Sequence, residues 1–288
     1  MIAVAPEVVG QLHTDLYEAR NEVVYGARRA TRFIKDMVAG KEIDGKKYKF
    51  NADFILELHR RLFFQDPNAV GGLRKLDLVT VSGKDVATAV EIFSRFPLFG
   101  RWLEEQTEYL YANPEDLQGA LNIAAAAHYG IVMPELHPFE NGNGRTARAL
   151  MNAILMSQSY ELTAFGLAIP PVPILRVVGD DSYVNSLKKV DETKDLRPFM
   201  AFIAKKWIES LDERLINIDR NLNGHRTRAD ISLINKLESR QHKIRKFIYE
   251  GNIAHDSEVL FNHIHGKHKI DIRTFPVPDY FALRYIKP

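Results

Sequence analysis

The sequence predicts an all-α fold: a helical bundle with one short β-hairpin and a small C-terminal extension. Three observations carry that expectation. Apolar residues recur at helical spacing through most of the chain. Cap and stop residues bracket those runs. A single stretch, from Leu76 to Val81, alternates apolar and polar residues in the manner of a strand.

The elements follow in order. Residues from about Thr14 to Val38 carry a helical pattern, closed by Gly40. Asn51 is placed as the N-cap of the next helix, in which Phe54, Leu58 and Leu62 recur every four residues with Ile55 beside them, ending near Asp66. Val70-Gly71-Gly72 signals a turn, and Leu76 to Val81, before Ser82-Gly83, reads as the hairpin. Helix is expected again from near Val86 or Trp102. Asn113-Pro114-Glu115-Asp116 reads as a helix start, with a cap, a proline at the first position and acids in the first turn. The small residues Ala120 and Ala124 to Ala127 suit a helix at the centre of a bundle. Beyond Pro134 and the segment His137 to Arg145, a helix is expected from near Arg145 to about Ser157. A loop at Ile169 to Pro173 precedes helices around Asp181–Val190 and Arg197–Arg214. Asn221 to Gly224 reads as a linker, Asp230–Tyr249 as helix and Lys269–Thr274 as strand.

Composition excludes some chemistry. The chain has no cysteine, so disulfides, thiolate zinc sites and a cysteine nucleophile are out. Its first ten residues do not read as a signal peptide, and no apolar run approaches the roughly 20 residues a membrane span requires. A soluble, cytoplasmic protein is the expectation. Charge is uneven: from Arg220 to Pro288 there are 13 Lys+Arg against 7 Asp+Glu, and six of the ten histidines. A basic tail of this kind binds nucleic acid or an acidic partner, or is simply a solvated face, which is the commoner case.

The chemistry-bearing segment is His137-Pro138-Phe139-Glu140-Asn141-Gly142-Asn143-Gly144-Arg145. Glycines directly before a helix let successive backbone N–H groups point into one concavity, and the first helical turn adds its own. Such a nest binds phosphate. Arg145 and Arg148, three apart on the new helix, project from nearby faces and can reach one polyphosphate. His137 stands close enough to act as a general base. Each element alone is commonplace; base, anion nest and two arginines within twelve residues form the signal. The pattern is neither a P-loop nor a dinucleotide fingerprint.

His137-Pro-Phe-Glu-Asn-Gly-Asn-Gly-Arg-Thr-Ala-Arg148 closely resembles the signature of the Fic family, His-x-Phe-x-(Asp/Glu)-Gly-Asn-Gly-Arg-x-x-Arg. Leu58-His59 with Gly72-x-Arg74 and the hairpin is similar to the family's flap region. Ala126-x-His128, Tyr183 and Asp195-Leu196-x-Pro198-Phe199 add to the likeness, which covers roughly residues 45–212. It divides the chain into an N-terminal helical region (1–44), a Fic domain (45–212) and a basic C-terminal region (213–288).

The resemblance implies AMP transfer from ATP to a Ser, Thr or Tyr hydroxyl of a protein, with Mg²⁺ or Mn²⁺. His137 would be the base. Gly142, Asn143 and Gly144 would cradle phosphates, Arg145 would hold them, and Arg148 would take the γ-phosphate. Phe139 would anchor the loop in the core. Leu78, Val79, Thr80, Val81 and Ser82 would pair with an extended target segment. Relatives often form dimers, so a homodimer is one expected state.

Two departures stand out. Asn141 occupies the position of the family's metal-holding carboxylate, and an amide oxygen is a poorer ligand for a hard cation. The inhibitory pattern (Ser/Thr)-x-x-x-Glu-(Gly/Asn) is only partly matched. Asn21 to Gly26 has Tyr25 where the glutamate would stand, while Glu250-Gly251 keeps the acidic residue, which makes Glu250 a candidate inhibitor of Arg148. A catalytically weakened nucleotide-binding protein, a Fic variant transferring another phosphate-containing group, and a DNA-associated regulator are the alternatives. His263, His265 and His268 read as a solvated loop; His59 and His128 as hydrogen-bonded bundle residues; Trp102 and Trp207 as core or interface.

Overall fold

Cap chemistry sets where most of the helices begin. The computed structural model describes residues 6–65, 72–77, 86–133, 136–158, 181–222, 231–232, 234–235 and 237–243, with backbone alone for 6–21 and 213–222. The principal helices among the described residues are α1 (Pro6–Val38), α2 (Ala52–Leu62), α3 (Ala89–Ala112), α4 (Leu117–Val132), α5 (Asn143–Ser157), α6 (Ser182–Thr193) and α7 (Arg197–Leu222). The described parts of 231–243 are also helical. The only β-type pairing among the described residues is a bridge between Ile43 and Lys46.

Asn51 caps α2 as expected, its side chain accepting from the Phe54 amide at 3.1 Å. Thr88 and Glu91 form a reciprocal capping box at the start of α3. Gly40, in the left-handed region at φ 69°, closes α1. Asp195 starts α7 by accepting from the Arg197 amide at 2.9 Å.

The start of α4 differs from expectation. Asn113 ends α3 instead: its amide bonds to Tyr109 and Leu110 carbonyls, and its side chain donates to Tyr109 at 2.9 Å. The cap of α4 is Asp116, three residues on, which accepts from Gly119 at 2.8 Å. An N-cap side chain must accept, and Asn113 is occupied as a donor. Helix α3 also runs through Pro97, where a break would be natural. Pro97 and Phe93, whose carbonyl loses its helical donor, both lie on the exposed side, where water can serve that group.

Packing is organised around α5. From Thr146 to Ser157 every residue is buried. Its most extensive partner is α4, whose alanine-rich run is buried throughout, and it also packs on α1 and α2. Phe33 of α1 stacks on Phe54 of α2 with ring centroids 5.4 Å apart. Helix α7 closes the other side against α4 and α6, and Trp102 and Trp207 are buried. No helix among the described residues is long and apolar enough to cross a membrane. The expected hairpin residues Leu78 to Ser82, the loop 169–173, Glu250, the histidines 263, 265 and 268 and the strand 269–274 lie outside the described residues.

Helix α1 docks by backbone approach: a Cβ on Gly26 would stand 2.1 Å from the Leu62 carbonyl oxygen. Gly26→Ala should therefore push α1 off α2 and cost about 1–3 kcal/mol of stability, measured by chemical denaturation. An unchanged or raised midpoint would show that this approach is not required.

Candidate active site

The site is built on the connection from α4 to α5. Because both helices are buried, the loop between them must satisfy its polar groups inside the protein. Phe139 is fully buried and stacks flat on His59, centroids 3.8 Å apart and planes 3° apart. His59 in turn is hydrogen-bonded through Nδ1 to Thr146 Oγ1 at 3.0 Å. Asn143 clasps the loop: its Oδ1 accepts from the Phe139 amide at 3.0 Å and its Nδ2 donates to the Phe139 carbonyl at 2.7 Å. The Asn143 side chain, buried in that clasp, shapes the loop; only its backbone amide belongs to the helix start.

His137 takes a left-handed backbone, φ 40°, uncommon for a residue with a side chain. Two groups hold it there. Its Nδ1–H donates to the Val132 carbonyl at 3.1 Å. Arg74 Nε donates to the His137 carbonyl at 3.0 Å, and the Arg74 amide to the Pro138 carbonyl at 2.8 Å. With the proton on Nδ1, the basic lone pair sits on Nε2. Burial pushes the His137 pKa below the usual 6.5, the Val132 hydrogen bond opposes this, and the Arg74 charge lowers it further. The imidazole is thus neutral and able to accept a proton at pH 7.

Helix α5 begins at an N-cap, Gly142, that has no side-chain cap bond and sits at φ 81°. A side chain there would meet both a left-handed backbone and the Phe63 ring, 2.0 Å from its Cβ. The first-turn amides, having no intrahelical acceptor, meet the positive end of the helix dipole. Arg145 lies over the Phe63 ring, 4.0 Å from its centroid. Arg148 is almost buried, with Nη1 at 3.4 Å from where a Cβ on Gly144 would stand. Two guanidinium groups thus flank one helix start, as the spacing predicted, although each leans on a different neighbour.

Sequence reading named Tyr183 and His128 but not their coupling. Arg148 Nη1 donates to the Tyr183 hydroxyl at 3.4 Å, and that hydroxyl bonds His128 Nε2 at 2.9 Å. Arg148 also lies 5.3 Å from the Tyr183 ring centroid. His128 is 0 % exposed, and burial, then the Arg148 charge, hold its pKa well below 6.5. The Tyr183 hydroxyl thus bridges the buried, neutral His128 and the Arg148 guanidinium.

Asn141 and Glu140 are both exposed, and no group of three or more His, Asp or Glu residues among the described residues could hold a metal ion. One amide oxygen and one neighbouring carboxylate are a sparse protein donor set; a Mg²⁺ ion held through so few protein ligands completes its octahedron with phosphate oxygens and water.

Residues 49–155, from the approach to α2 through most of α5, match the model of the Fic/DOC family. This segment is a Fic-type domain. The chain is 34% identical over 187 residues to protein adenylyltransferase fic-1 of Caenorhabditis briggsae, covering 64% of this chain and 32% of that protein. It is 33% identical over 184 residues to protein adenylyltransferase Fic of Nematostella vectensis, covering 64% and 38%. With protein adenylyltransferase Fic of Drosophila melanogaster it shares 36% over 159 residues, covering 55% and 28%. The chain thus spans about a third of the length of these relatives.

Gly142→Ala should lose about 1–2 kcal/mol from the left-handed backbone alone, with the Phe63 clash added; a midpoint equal to that of the native protein in thermal denaturation would contradict this. His128 gives a second expectation. Its folded pKa is depressed, so below pH 6.5 the unfolded chain binds a proton that the folded one refuses. Stability contributed by the neutral form is complete above that pH and falls as the pH drops toward the folded value. Denaturation midpoints from pH 8 to 5 should show this loss, and His128→Gln should flatten it.

Proposed function

We propose that this protein transfers AMP from ATP to a Ser, Thr or Tyr hydroxyl of a target protein. The observation that carries the reading is the fixed tautomer of His137, with its basic Nε2 on the loop that opens into an arginine-flanked helix start. The names of the similar proteins, all adenylyltransferases, support it.

The reaction needs two things from the chain, a base and a cradle for the phosphates. His137 Nε2 takes the hydroxyl proton as the oxygen attacks the α-phosphorus. The bond from that phosphorus to the bridging oxygen of the leaving pyrophosphate breaks. The α5 amides, Arg145 and Arg148 orient the phosphates and balance the negative charge that gathers on the leaving group. Any Mg²⁺ or Mn²⁺ would take its other ligands from the nucleotide and water.

Several parts of this reading rest on sequence alone. Residues 78–82 are proposed to dock the target as an added strand, and Glu250 to restrain Arg148. The division at 45 and 212, a homodimer and nucleic-acid binding by the basic C-terminal region are proposals of the same kind. The exposed amide at Asn141 favours a second reading, a nucleotide-binding protein of weakened turnover.

The test is transfer of label from ATP marked at the α- or, separately, the γ-phosphate, with lysate proteins as acceptors. Label from the α-position alone is expected, with His137→Ala reducing the rate by about 10²–10⁴-fold. Label from the γ-position would replace the reading with phosphoryl transfer. Labelling that needs Asn141→Asp would favour the weakened protein. The rate in the native protein should fall on acidification with its half-point under pH 6.5, because the His137 pKa lies under that value; a half-point at or above neutral would contradict the assignment of His137 as base.

A further inference from the structure

Arg74 is 1 % exposed, yet it carries a guanidinium group. Burying such a group is costly unless its donors are used. Here they are spent on main-chain carbonyls: Nε on His137 at 3.0 Å, Nη1 on Leu76 at 2.8 Å, and Nη2 on Ala87. The Arg74 amide adds Pro138 at 2.8 Å. One side chain therefore joins three separate stretches of backbone: the segment that contains it, the approach to α3 and the loop of the base. Asp77 strengthens the frame by accepting from the Ala89 amide at 2.7 Å.

We propose that Arg74 is a positioning residue that holds the His137–Pro138 peptides, and through them the Nε2 of the base, in the orientation needed to deprotonate the target hydroxyl. The inference rests on the function proposed above. His137 has an unfavourable left-handed backbone, and its ring is held through Nδ1 by the Val132 carbonyl. Without the Arg74 guanidinium, the His137 carbonyl loses the donor that opposes relaxation of the loop, and the Arg74 amide is left to hold Pro138 alone. Lysine would not replace it: a compact ammonium on a flexible stem cannot present a planar fork to carbonyls on three segments. Among the described residues, the titratable and charged groups on the elements around His137 include His59 of α2, His128 of α4, Arg145 and Arg148 of α5, Glu140 of its own loop, and Arg74, whose charge lowers the His137 pKa.

The experiment uses the full chain and the variants Arg74→Lys and Arg74→Gln. Both are expected to lower kcat for label transfer by about 10- to 100-fold while the dissociation constant for ATP stays unchanged, since the Arg74 side chain bonds to the His137, Leu76 and Ala87 carbonyls and not to the α5 start. By NMR titration, the His137 pKa should rise in Arg74→Gln and stay depressed in Arg74→Lys, which keeps the charge. Native kcat in Arg74→Lys overturns the proposal. So does a fall in ATP affinity that parallels the fall in kcat, which would mark Arg74 as a general support of the fold. Should the variants fail to fold, the native protein still decides: the Arg74 Nε–H must exchange with solvent far more slowly than that of a free arginine, and exchange at the free rate overturns the proposal. The NMR readouts require no turnover, so a protein that transfers no AMP but passes them refutes the proposed function and leaves the Arg74 frame standing.

Discussion

A loop can cross the interior of a protein only if its peptide groups find partners there, and the connection from α4 to α5 is governed by that constraint. Its solution uses three side chains. Asn143 takes both polar groups of Phe139, the Arg74 guanidinium takes the His137 carbonyl while its main-chain amide takes that of Pro138, and His137 spends its own Nδ1–H on Val132. The buried Phe139 ring, pressed on His59, fixes the loop's depth. The reactive features are consequences of this accounting. The Nε2 lone pair is available because Nδ1 is committed, and the glycine at 142 is imposed by the turn that brings the chain into α5.

Electrostatics follow from the same burial. His137 and His128 both lie in surroundings that penalise charge, and each is near an arginine that penalises it further. Of the two neutral imidazoles, one can receive a substrate proton; the other bonds the Tyr183 hydroxyl and so orders the group that meets Arg148. Arg145 and Arg148 lie over aromatic rings, which attract the guanidinium charge. The N–H edge of a guanidinium is what grips phosphate oxygens.

The parts of this arrangement that were legible in the sequence are local. Asn51 as a cap, Gly40 as a stop, the buried alanine run and the helix after Gly142 all depend on neighbours within a turn or two, and they stand where expected. Asn113 misled because an asparagine before Pro-Glu-Asp has the composition of a cap, whereas the preceding helix had already claimed it. Pro97 obscured α3 because its cost depends on which side of the helix faces water, and that is a tertiary fact. Arg74 on His137 spans 63 positions, and Tyr183 on His128 spans 55. No periodicity links such pairs. The resemblance placed Arg74 and Tyr183 in the right family without saying what they touch.

Asn141 is where the local and the tertiary readings meet. On sequence alone it removes a carboxylate from the place where relatives of this signature hold a cation. In the structure the residue is exposed at the loop's outer edge, while the groups that shape the loop lie on its inner side. The substitution therefore leaves the backbone of the site intact and changes only its charge. A loop that presents an amide there, between Glu140 and the Gly142 turn, carries one negative charge fewer than it would with an aspartate. Under the function proposed above, that change removes a group that would repel the phosphates and also removes a carboxylate ligand for a hard cation. The two effects act on different steps: the first on binding of the nucleotide, the second on the charge balance of the transfer itself.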